Sequence, residues 1–588
     1  MYQPADTSTG AHGGRPNILT TRGVVSAGHY LAAEAGLRIL QAGRNAMDAA
    51  AATGFALAVL KPHQNGIAGE APVLVYEAGT GTVHVVSGHG SAPQAATIEH
   101  FRKLGLTIIP GDGLLPAVVP PVVATWILLL RRFGTMRLHQ VLAPALELAE
   151  GGFPMYKSLH ASIGSSAARF LEQWPSSAEK FLPGGTAPGL GTVWKQPDWA
   201  ATFKKLADAD MSCLDREQGL SAAHDCFYRG EIADRITEFC RSTPVCDSSE
   251  EPHTGLLDKG DMAAYSARVE TPVQVGYRGI DVFKCPPWSQ GPVLLQMLAL
   301  LEGYDLAEMG HNSADYVHTV VECMKLAFAD REFYYGDPEF VDVPLERLLS
   351  KEYAAERRGL VDPGQASLEQ RPDGHEPLVA TELADVEGAF APCAGDTTKL
   401  EVIDREGNMV SATVSGGWLS SSPVVPGLGF PLGTRGQMFS LTPGHPNALQ
   451  PGKRPRTTLT PSLALRDGRP WMSFGSPGGD CQDQWALQFL LNVVEFGMSL
   501  QEAVEAPTFW TGHCISSFYP RTAEPGSLHV EGRIAEDVRD ELSTRGHIMH
   551  AEADWAGGNT LAASIDPDTG VLTAAASPRL DPAYAMGW

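Results

Sequence analysis

A threonine near the middle of the chain, Thr397, has the surroundings of a latent N-terminal nucleophile. It lies in the run GDTTKLEVIDREGNMVSATVSGG. If the bond between Asp396 and Thr397 is cut, Thr397 carries a free α-amine beside its own hydroxyl, so that a nucleophile and a base share one residue. Because an α-amine has a pKa of about 7.7–8.0, part of it is neutral at neutral pH and can take the hydroxyl proton. This chemistry is that of a self-processing amide hydrolase.

A Thr-Thr pair carries little information by itself. The interpretation of Thr397 depends on an ordered set of segments around it. TTKLEVIDREGNMVSATVS is preceded by RGVVSAGHYLAAEAGLRILQAGRNAMDAAAATGFALAVLKPHQNGIAG and CPPWSQGPVLLQMLALLEGYDL, and followed by KRPRTTLTPSLAL, GSPGGD and EAVEAPTFW. The set resembles the γ-glutamyltransferase family of N-terminal-nucleophile hydrolases over nearly the whole chain. The resemblance implies an α/β (α+β) fold, a four-layer αββα sandwich. It also implies cleavage into a large subunit, residues 1–396, and a small subunit, residues 397–588.

The resemblance implies roles for four residues in the reaction. Thr397 would attack the Asp396 carbonyl during self-cleavage and the substrate carbonyl during turnover, forming an acyl-enzyme. Ser415 matches a second hydroxyl residue, usually threonine, that hydrogen-bonds the nucleophile. Gly478 and Gly479 in SPGGD match the glycines whose backbone N–H groups hold the oxyanion. Outside the family context, these residues read as a strand threonine, a strand serine and a Gly-Gly turn.

Several positions that bind the glutamyl group in the family differ here. The family holds the substrate α-carboxylate with an arginine; the matching stretch SGHGSAP has no arginine, and His89 occupies or neighbours its position. The family asparagine after the second hydroxyl is replaced by Gly417, which is followed by Trp418. Thr457 and Thr458 stand where the family has two serines that contact the substrate carboxylate, so their hydroxyl chemistry is kept.

The partner of the substrate amine also differs. RGQMFSL keeps Gln437 but has Ser440 where the family has aspartate, or lacks that region. With three polar anchors changed, the site should bind glutamyl groups weakly. Trp418 and Phe439 then line a less polar pocket, although both also read as core aromatics. The short stretch after Phe439 predicts an open site in which water competes well as acceptor.

These departures resemble the γ-glutamyltransferase-like amidohydrolases and acylases. They predict a hydrolase that cleaves an amide or carbamate bond of a small, non-γ-glutamyl molecule. Two alternatives stay open: a true γ-glutamyltransferase or glutathione hydrolase with rearranged anchors, and a non-catalytic relative that folds without processing. A serine hydrolase is disfavoured because no GxSxG nucleophile elbow occurs.

The composition of the chain limits the kinds of molecule that it is expected to bind. The formal net charge is −24, from 44 Lys and Arg against 68 Asp and Glu, which argues against binding nucleic acid or an anionic membrane. There is no run of about 20 apolar residues and no signal-peptide pattern, so we predict a cytoplasmic protein, either one αβ pair or a pair of pairs. The nine cysteines form no CxxC pair and no zinc-like grouping; reduced thiols, no metal and no cofactor are predicted.

Alternating strand pairs and helices should position these groups. Residues 27–60 predict two helices, the second capped by Asn45. Helices are also predicted at 121–150, 483–497 and 534–545, and hairpins are predicted to turn at residues 79–81, 406–408 and 467–468 and within LAASIDPDTGVLTAAAS. Residues 163–262 show the least pattern, and neither they nor Lys399, which stands where the family usually has histidine, receive a role.

Overall fold

Two antiparallel sheets form the centre of the molecule. The computed structural model describes residues 14–374 and 397–588, so Asp396 lies outside the described residues. Within these ranges each sheet has seven strands. Sheet I contains, in spatial order, β21 (Tyr584–Gly587), β2 (Gly23–Ala27), β12 (Thr397–Asp404), β13 (Met409–Ser415), β3 (Val73–Glu77), β4 (Thr82–Val86) and β9 (Val269–Glu270). Sheet II contains β1 (Ile18–Thr20), β20 (Leu572–Ala576), β19 (Leu561–Ile565), β15 (Arg469–Gly475), β14 (Ser462–Arg466), β11 (Ile280–Lys284) and β10 (Val273–Tyr277).

Helices cover the outer face of each sheet. One apolar core joins sheet I to α1 (Tyr30–Gln41), α2 (Ala46–Leu60), α4 (Val122–Phe133), α5 (Leu138–Gly151), α6 (Lys157–Glu172), α7 (Pro175–Phe181), α8 (Pro197–Met211), α9 (Arg216–Tyr228), α10 (Glu231–Ser242) and α11 (Lys259–Ala264). A second core joins sheet II to α12 (Pro292–Leu301), α13 (Leu306–Met309), α14 (Ala314–Tyr334), α15 (Leu345–Leu348), α16 (Lys351–Arg358), α17 (Gln482–Val494), α18 (Leu500–Glu505) and α19 (Glu536–Thr544).

A few shorter elements complete the fold. α3 (Ile98–Lys103) packs in a smaller apolar cluster. The remaining strands are β5 (Phe153–Pro154), β6 (Val193–Trp194), β7 (Val245–Cys246), β8 (Pro252–His253), β16 (Phe509–Trp510), β17 (Ser527–Glu531) and β18 (Ile548–Glu552). Among the described residues, no helix combines the length and apolar character that crossing a membrane requires.

The hairpin β12–β13 shows how the sequence divides between the layers. Side chains alternate between the two faces of a strand, and even-numbered residues such as Leu400 and Val402 join the helix-side core of sheet I. Odd-numbered residues face sheet II, and Ile403 and Met409 join a third core between the sheets together with Leu463. Helix, sheet, sheet and helix therefore form four layers, which confirms the αββα sandwich.

Most predicted elements are present. The two helices within residues 27–60 are α1 and α2, and the Asn45 side chain caps α2 by accepting from the backbone N–H of Asp48 at 3.0 Å. The four hairpins are β3–β4, β12–β13, β14–β15 and β19–β20. Residues 163–262, which lacked a clear pattern, contain helices whose buried faces extend the core over sheet I.

The cysteines correct one expectation. Among the described residues seven cysteines carry free thiols, but Cys481 is disulfide-bonded. The prediction of reduced thiols throughout the chain is therefore wrong at Cys481.

Candidate active site

Thr397 opens a central strand and faces the layer between the sheets. It is the first residue of β12, is 2% exposed, and pairs with Ser415 at the end of β13. Its Oγ1 donates a hydrogen bond to Ser415 Oγ at 3.1 Å. The two hydroxyls that the resemblance brought together are thus adjacent on one face.

Glu70 extends this pair across the next strand position. The Glu70 N–H donates to the Ser415 carbonyl at 2.7 Å, and the Ser415 N–H donates to the Glu70 carbonyl at 3.0 Å. Directly opposed residues of an antiparallel pair place their side chains on the same face. Thr397, Ser415 and Glu70 therefore form a row of side chains, which we call the nucleophile row.

The carboxylate of Glu70 lies between two basic side chains. One oxygen is 2.5 Å from Arg435 Nε and the other is 2.5 Å from His89 Nδ1. Burial alone would raise the pKa of Glu70, but the charges of Arg435 and His89 outweigh it and hold this pKa below its ordinary value. The opposite ring nitrogen of His89, Nε2, contacts the Pro455 carbonyl oxygen, and the ring stacks on Trp288 at 5.7 Å.

Sequence reasoning missed Glu70 and Arg435, although both lie within or beside segments that carry the resemblance. Glu70 directly follows NGIAG, and Arg435 begins RGQMFSL. The guanidinium of Arg435 has aromatic neighbours, with its central carbon 5.4 Å from the Trp418 ring and 5.7 Å from the Phe518 ring. Its Nη2 is buried and has no hydrogen-bond partner among the described residues.

Close backbone packing surrounds the nucleophile row. A Cβ added to Gly69 would lie 2.1 Å from the Ser415 carbonyl oxygen, so only glycine fits there. Gly416 and Gly417 both have positive φ, +73° and +61°, and turn the chain directly after Ser415. Gly417 therefore supplies backbone at this site, and Trp418 supplies the side chain next to Arg435.

Gly478 and Gly479 lie in the turn between β15 and α17. Their φ values are +126° and +53°, and a Cβ on Gly478 would come within 2.4 Å of the Trp485 ring. The turn leaves β15 at Gly475, where an added Cβ would meet Lys399 Cε at 2.4 Å. Lys399 is two residues from Thr397 on the same face, about 7 Å along the strand, so the turn begins at the end of the sandwich that holds Thr397.

Lys399 belongs to a buried polar cluster beside the nucleophile row. Its Nζ is 2.7 Å from Glu401 Oε1 and donates to Ser411 Oγ at 2.9 Å and Thr413 Oγ1 at 3.4 Å. Burial lowers the pKa of Lys399, with the charge of Glu401 acting in the opposite direction. Burial likewise raises the pKa of Glu401 to about 7. Burial therefore moves the pKa values of Lys399 and Glu401 toward each other.

Other predicted substrate contacts have different surroundings. Gln437 Nε2 donates to the Gly111 carbonyl at 2.7 Å, and Gln437 Oε1 accepts from the Tyr519 N–H at 3.1 Å. Thr457 Oγ1 accepts from the Leu459 N–H at 3.3 Å. Gln437 and Thr457 thus hold loops together in this state of the chain.

Two further candidates are buried near these loops. Thr458 Oγ1 has no hydrogen-bond partner within the described ranges. Phe439 packs in the small apolar cluster that also contains Phe101 and Leu449. The position of Phe439 corresponds to its interpretation as a core aromatic.

One buried group has ligand atoms at metal-compatible spacing away from this site. His318, Glu322 and His547 bring three ligand atoms within 4.8 Å of one another. However, Glu322 already pairs with Lys325 at 2.7 Å and with Arg371 at 3.0 Å. Its charge is therefore compensated by the protein, and we assign no ion to the group.

The four-layer arrangement of helices and sheets is the fold of the N-terminal-nucleophile hydrolases. The model of the family described as gamma-glutamyltranspeptidase matches residues 32–587, and the chain belongs to this family.

Similar proteins indicate which type of reaction this family member catalyses. The chain is 35% identical over 574 residues to the Acylase ACY 1 proenzyme of Pseudomonas sp. (strain SE83), covering 95% of this chain and 93% of that protein. Its structure is similar to that of LmbA2991HD, with a TM-score of 0.93, 46% identity and coverage of 98% and 100%. It is also similar to cephalosporin acylase from Bacillus halodurans, with a TM-score of 0.83, 32% identity and coverage of 100% and 99%. The chain is a γ-glutamyltransferase-like amidohydrolase, as predicted.

Proposed function

We propose that the protein is a self-processing N-terminal-threonine hydrolase. It cleaves an amide or carbamate bond of a small molecule other than a γ-glutamyl compound, with Thr397 as the nucleophile. The observation that carries the proposal is the pair of buried hydroxyls, Thr397 Oγ1 and Ser415 Oγ, 3.1 Å apart at the start of a central strand. The proenzyme relative ACY 1 supports a processed precursor.

Self-cleavage uses the Thr397 hydroxyl and consumes one water molecule. Thr397 Oγ1 attacks the carbonyl carbon of Asp396, the hydroxyl proton passes to the amide nitrogen, the peptide C–N bond breaks, and this nitrogen becomes the α-amine of Thr397. Water then hydrolyses the ester, which returns the Thr397 hydroxyl and leaves a carboxyl group on Asp396. The products are residues 1–396 and residues 397–588.

Turnover uses the new amine as the base. The α-amine takes the proton of Oγ1 as this oxygen attacks the substrate carbonyl, and Ser415 orients the hydroxyl. Backbone N–H groups of Gly478 and Gly479 hold the developing oxyanion, which typically contributes about 10²–10³ in rate per donor. The amine product takes the proton and leaves, and water releases the acyl group by the same sequence of steps.

The charges near the nucleophile row disfavour a γ-glutamyl substrate. Such a substrate carries an ammonium group that needs a carboxylate partner. Glu70, the carboxylate in this row, is already paired with Arg435 and His89, and binding an ammonium would require breaking one of these buried pairs. An acyl group without an ammonium avoids this cost.

Intact-mass analysis of the purified protein tests the proposal. Two chains, with the smaller one equal to residues 397–588, are expected. Hydrolysis of acyl p-nitroanilides should then exceed that of γ-glutamyl-p-nitroanilide. A single uncut chain without activity would identify a non-catalytic relative, and preferred turnover of the γ-glutamyl compound would identify a true γ-glutamyltransferase.

A further inference from the structure

Histidine and glutamate side chains meet on the three-stranded sheet formed by β16, β17 and β18, outside the nucleophile row. β17 and β18 run parallel, and His529 and His550 are directly paired positions of these two strands. Neighbouring strands lie about 4.7–4.9 Å apart, and the two imidazole rings stack with their centroids 4.4 Å apart. Glu524 completes the group, in which one carboxylate oxygen and one nitrogen of each histidine lie within 4.8 Å of one another.

Glu552 fixes the orientation of the His529 ring. Its Oε1 lies 2.8 Å from His529 Nδ1, and because an ionised carboxylate can only accept a hydrogen bond, Nδ1 is the donor. The opposite ring nitrogen, Nε2, faces Glu524 Oε2 at 3.4 Å. A histidine that binds a metal through one nitrogen commonly donates the hydrogen of its other nitrogen to a carboxylate. The two glutamates therefore hold His529 as a metal-binding histidine is held.

The distances within the group are close to those around a bound ion. Zinc holds nitrogen and oxygen ligands at about 2.0–2.2 Å in a tetrahedron, which separates neighbouring ligand atoms by about 3.3–3.6 Å. His529 Nε2 and Glu524 Oε2 already have such a separation, 3.4 Å. A metal lies in the plane of an imidazole that binds it, so the stacked ring of His550 has to turn toward the ion. His550 is exposed and free to do so.

No lysine or arginine within the described ranges pairs with either glutamate of this group. The ion pairs of Glu524 and Glu552 are those with His529. The buried metal-compatible group around Glu322 differs in this respect, because Glu322 is already paired with Lys325 and Arg371. A divalent cation on β17 and β18 would therefore compensate carboxylate charge that no side-chain cation of the protein neutralises.

The surroundings of the ligands are ordered without an ion. The Glu524 N–H donates to the Gly512 carbonyl at 2.8 Å, and the Ser527 N–H donates to the Glu524 carbonyl at 3.0 Å. On the strand opposite to β18, Trp510 pairs with His529, and the two rings stack at 5.1 Å with an interplanar angle of 6°. Groups that are held in place beforehand lose less conformational freedom when they bind.

We propose that His529, His550 and Glu524 bind one divalent transition-metal ion of the zinc type, with Glu552 orienting the His529 ring. Two histidines and one glutamate are a ligand set that binds zinc in proteins, with water in the fourth position. Nitrogen ligands favour such ions over Mg²⁺ and Ca²⁺, which prefer oxygen. The site contains none of the residues assigned to the reaction, so it is independent of the proposed function.

The sequence contains no local signal for this site. His529 and His550 lie on either side of α19 in the chain and meet because β17 and β18 pair in parallel. The sequence-based prediction of no metal rested on the lack of a zinc-like grouping of cysteines and histidines. In the structure the ion would link β17, β18 and the segment before β17, and thus fasten the outer strand of this sheet.

Metal binding by the purified full chain tests the inference. After treatment with a chelator, the protein is titrated with Zn²⁺ by calorimetry and with Co²⁺ by visible absorption, which reports four-coordinate cobalt. We expect one ion per chain, with a dissociation constant in the micromolar range or tighter. Co²⁺ should also quench part of the tryptophan fluorescence, because Trp510 stacks on His529.

Three variants locate the ion. His550→Ala should abolish binding and leave the chain folded, since His550 is exposed. Glu552→Gln should weaken binding by about 10- to 100-fold, the usual effect of removing a group that orients a metal-bound histidine. His224→Ala is the matched control and should bind as the wild type does. His224 also lies beside a carboxylate, that of Asp225, and stacks on Tyr228, but within the described residues it belongs to no metal-compatible group.

Two results would overturn the inference. One is the absence of Zn²⁺ and Co²⁺ binding to the wild type. The other is equal binding by the wild type and His550→Ala, which would identify an adventitious ion elsewhere on the surface. None of these measurements uses catalytic activity, so an inactive protein would count against the proposed function and not against the metal site.

Thermal unfolding provides a second measurement. An ion that binds only the folded chain stabilises it, so saturating Zn²⁺ should raise the Tm of the wild type and of His224→Ala. The Tm of His550→Ala should stay unchanged. An equal rise in all three proteins would contradict the inference.

Discussion

The hairpin β12–β13 presents two chemically different halves to sheet II. Toward its turn, Ile403 and Met409 pack in the apolar core between the sheets. Toward its open end, the same face carries Thr397, Lys399 and Glu401, opposite Ser415, Thr413 and Ser411, all buried. One half follows the ordinary rule for a sheet interior, and the other half fills the interior with hydroxyls and charges.

This difference separates stability from chemistry along one pair of strands. Burying apolar side chains stabilises the fold by about 25 cal/mol per Å², whereas burying charges costs free energy even when they are paired. A hairpin with a purely structural role would be expected to carry apolar side chains in this half as well. Ionisable groups whose pKa values are shifted by burial, as for Lys399 and Glu401, are found more often at functional sites.

The largest effect should come from the nucleophile. Thr397→Ala should leave the chain uncut and reduce turnover by at least about 10⁴-fold, because no other hydroxyl occupies its position. Thr398→Ala is the matched control, since Thr398 is the next residue on the opposite face and its Oγ1 has no hydrogen-bond partner in the described part of the chain. Intact mass and steady-state rates measure both. Activity retained in Thr397→Ala would exclude the proposed mechanism.

The turn at Gly478 and Gly479, the proposed oxyanion site, should give the next largest effect. Gly479→Val should lower kcat by about 10²–10³-fold because a β-branched residue at φ +53° displaces the backbone N–H donor. Gly497→Val provides a control for backbone strain, because Gly497 has φ +66° and open space around it. Equal kcat in the two variants would remove Gly479 from the oxyanion site.

A substitution in the apolar half of the hairpin should lower the stability of the fold and leave the rate of turnover nearly unchanged. Ile403→Ala should reduce the free energy of unfolding by about 2–5 kcal/mol, since Ile403 is fully buried between the sheets. Turnover per folded molecule should stay near that of the wild type. Denaturant unfolding and active-site titration measure the two quantities, and a large loss of turnover in the folded variant would show that the halves are not separate.

The smallest expected effect is on the pH dependence of the free energy of unfolding. The folded-state pKa of Glu401 is raised to about 7, so the folded chain binds more protons than the unfolded chain between the ordinary Glu pKa and about pH 7. The contribution of Glu401 to stability is therefore present at low pH and is lost as the pH rises through this window. Glu401→Gln should remove this component, measured as the difference between the two unfolding profiles from pH 4.5 to 7.5. Parallel profiles would contradict the prediction.

Local signals in the sequence predicted much of the fold. Asp467-Gly468 identified the β14–β15 turn, where both residues have positive φ, and Asn45 identified the start of α2. The pairing of strands within the sheets was harder to predict from the sequence, because β12 pairs with β2 from the far end of the chain. The family resemblance implied the four-layer sandwich but no strand order, and periodicity implied neither.

The site was predicted unevenly for the same reason. Thr397 and Ser415 are joined by a hairpin and could be placed together. Glu70 and Arg435 meet across 365 positions of sequence, and spacing alone contains no signal for such a contact. Gln437 was predicted to contact the substrate. Arg435, two residues earlier in the same short segment, is the side chain that reaches Glu70.

Each sheet combines strands from both sides of residue 397. In sheet I, β12 pairs with β2 and β13 pairs with β3, while in sheet II β14 pairs with β11. After a cut before Thr397, the two products would stay interlocked, and separating them would be the same event as global denaturation. Renaturation would then need two molecules to meet, so recovery after denaturation should fall on dilution for the mature form but not for the precursor. Maturation would exchange reversible folding for a kinetically trapped native state.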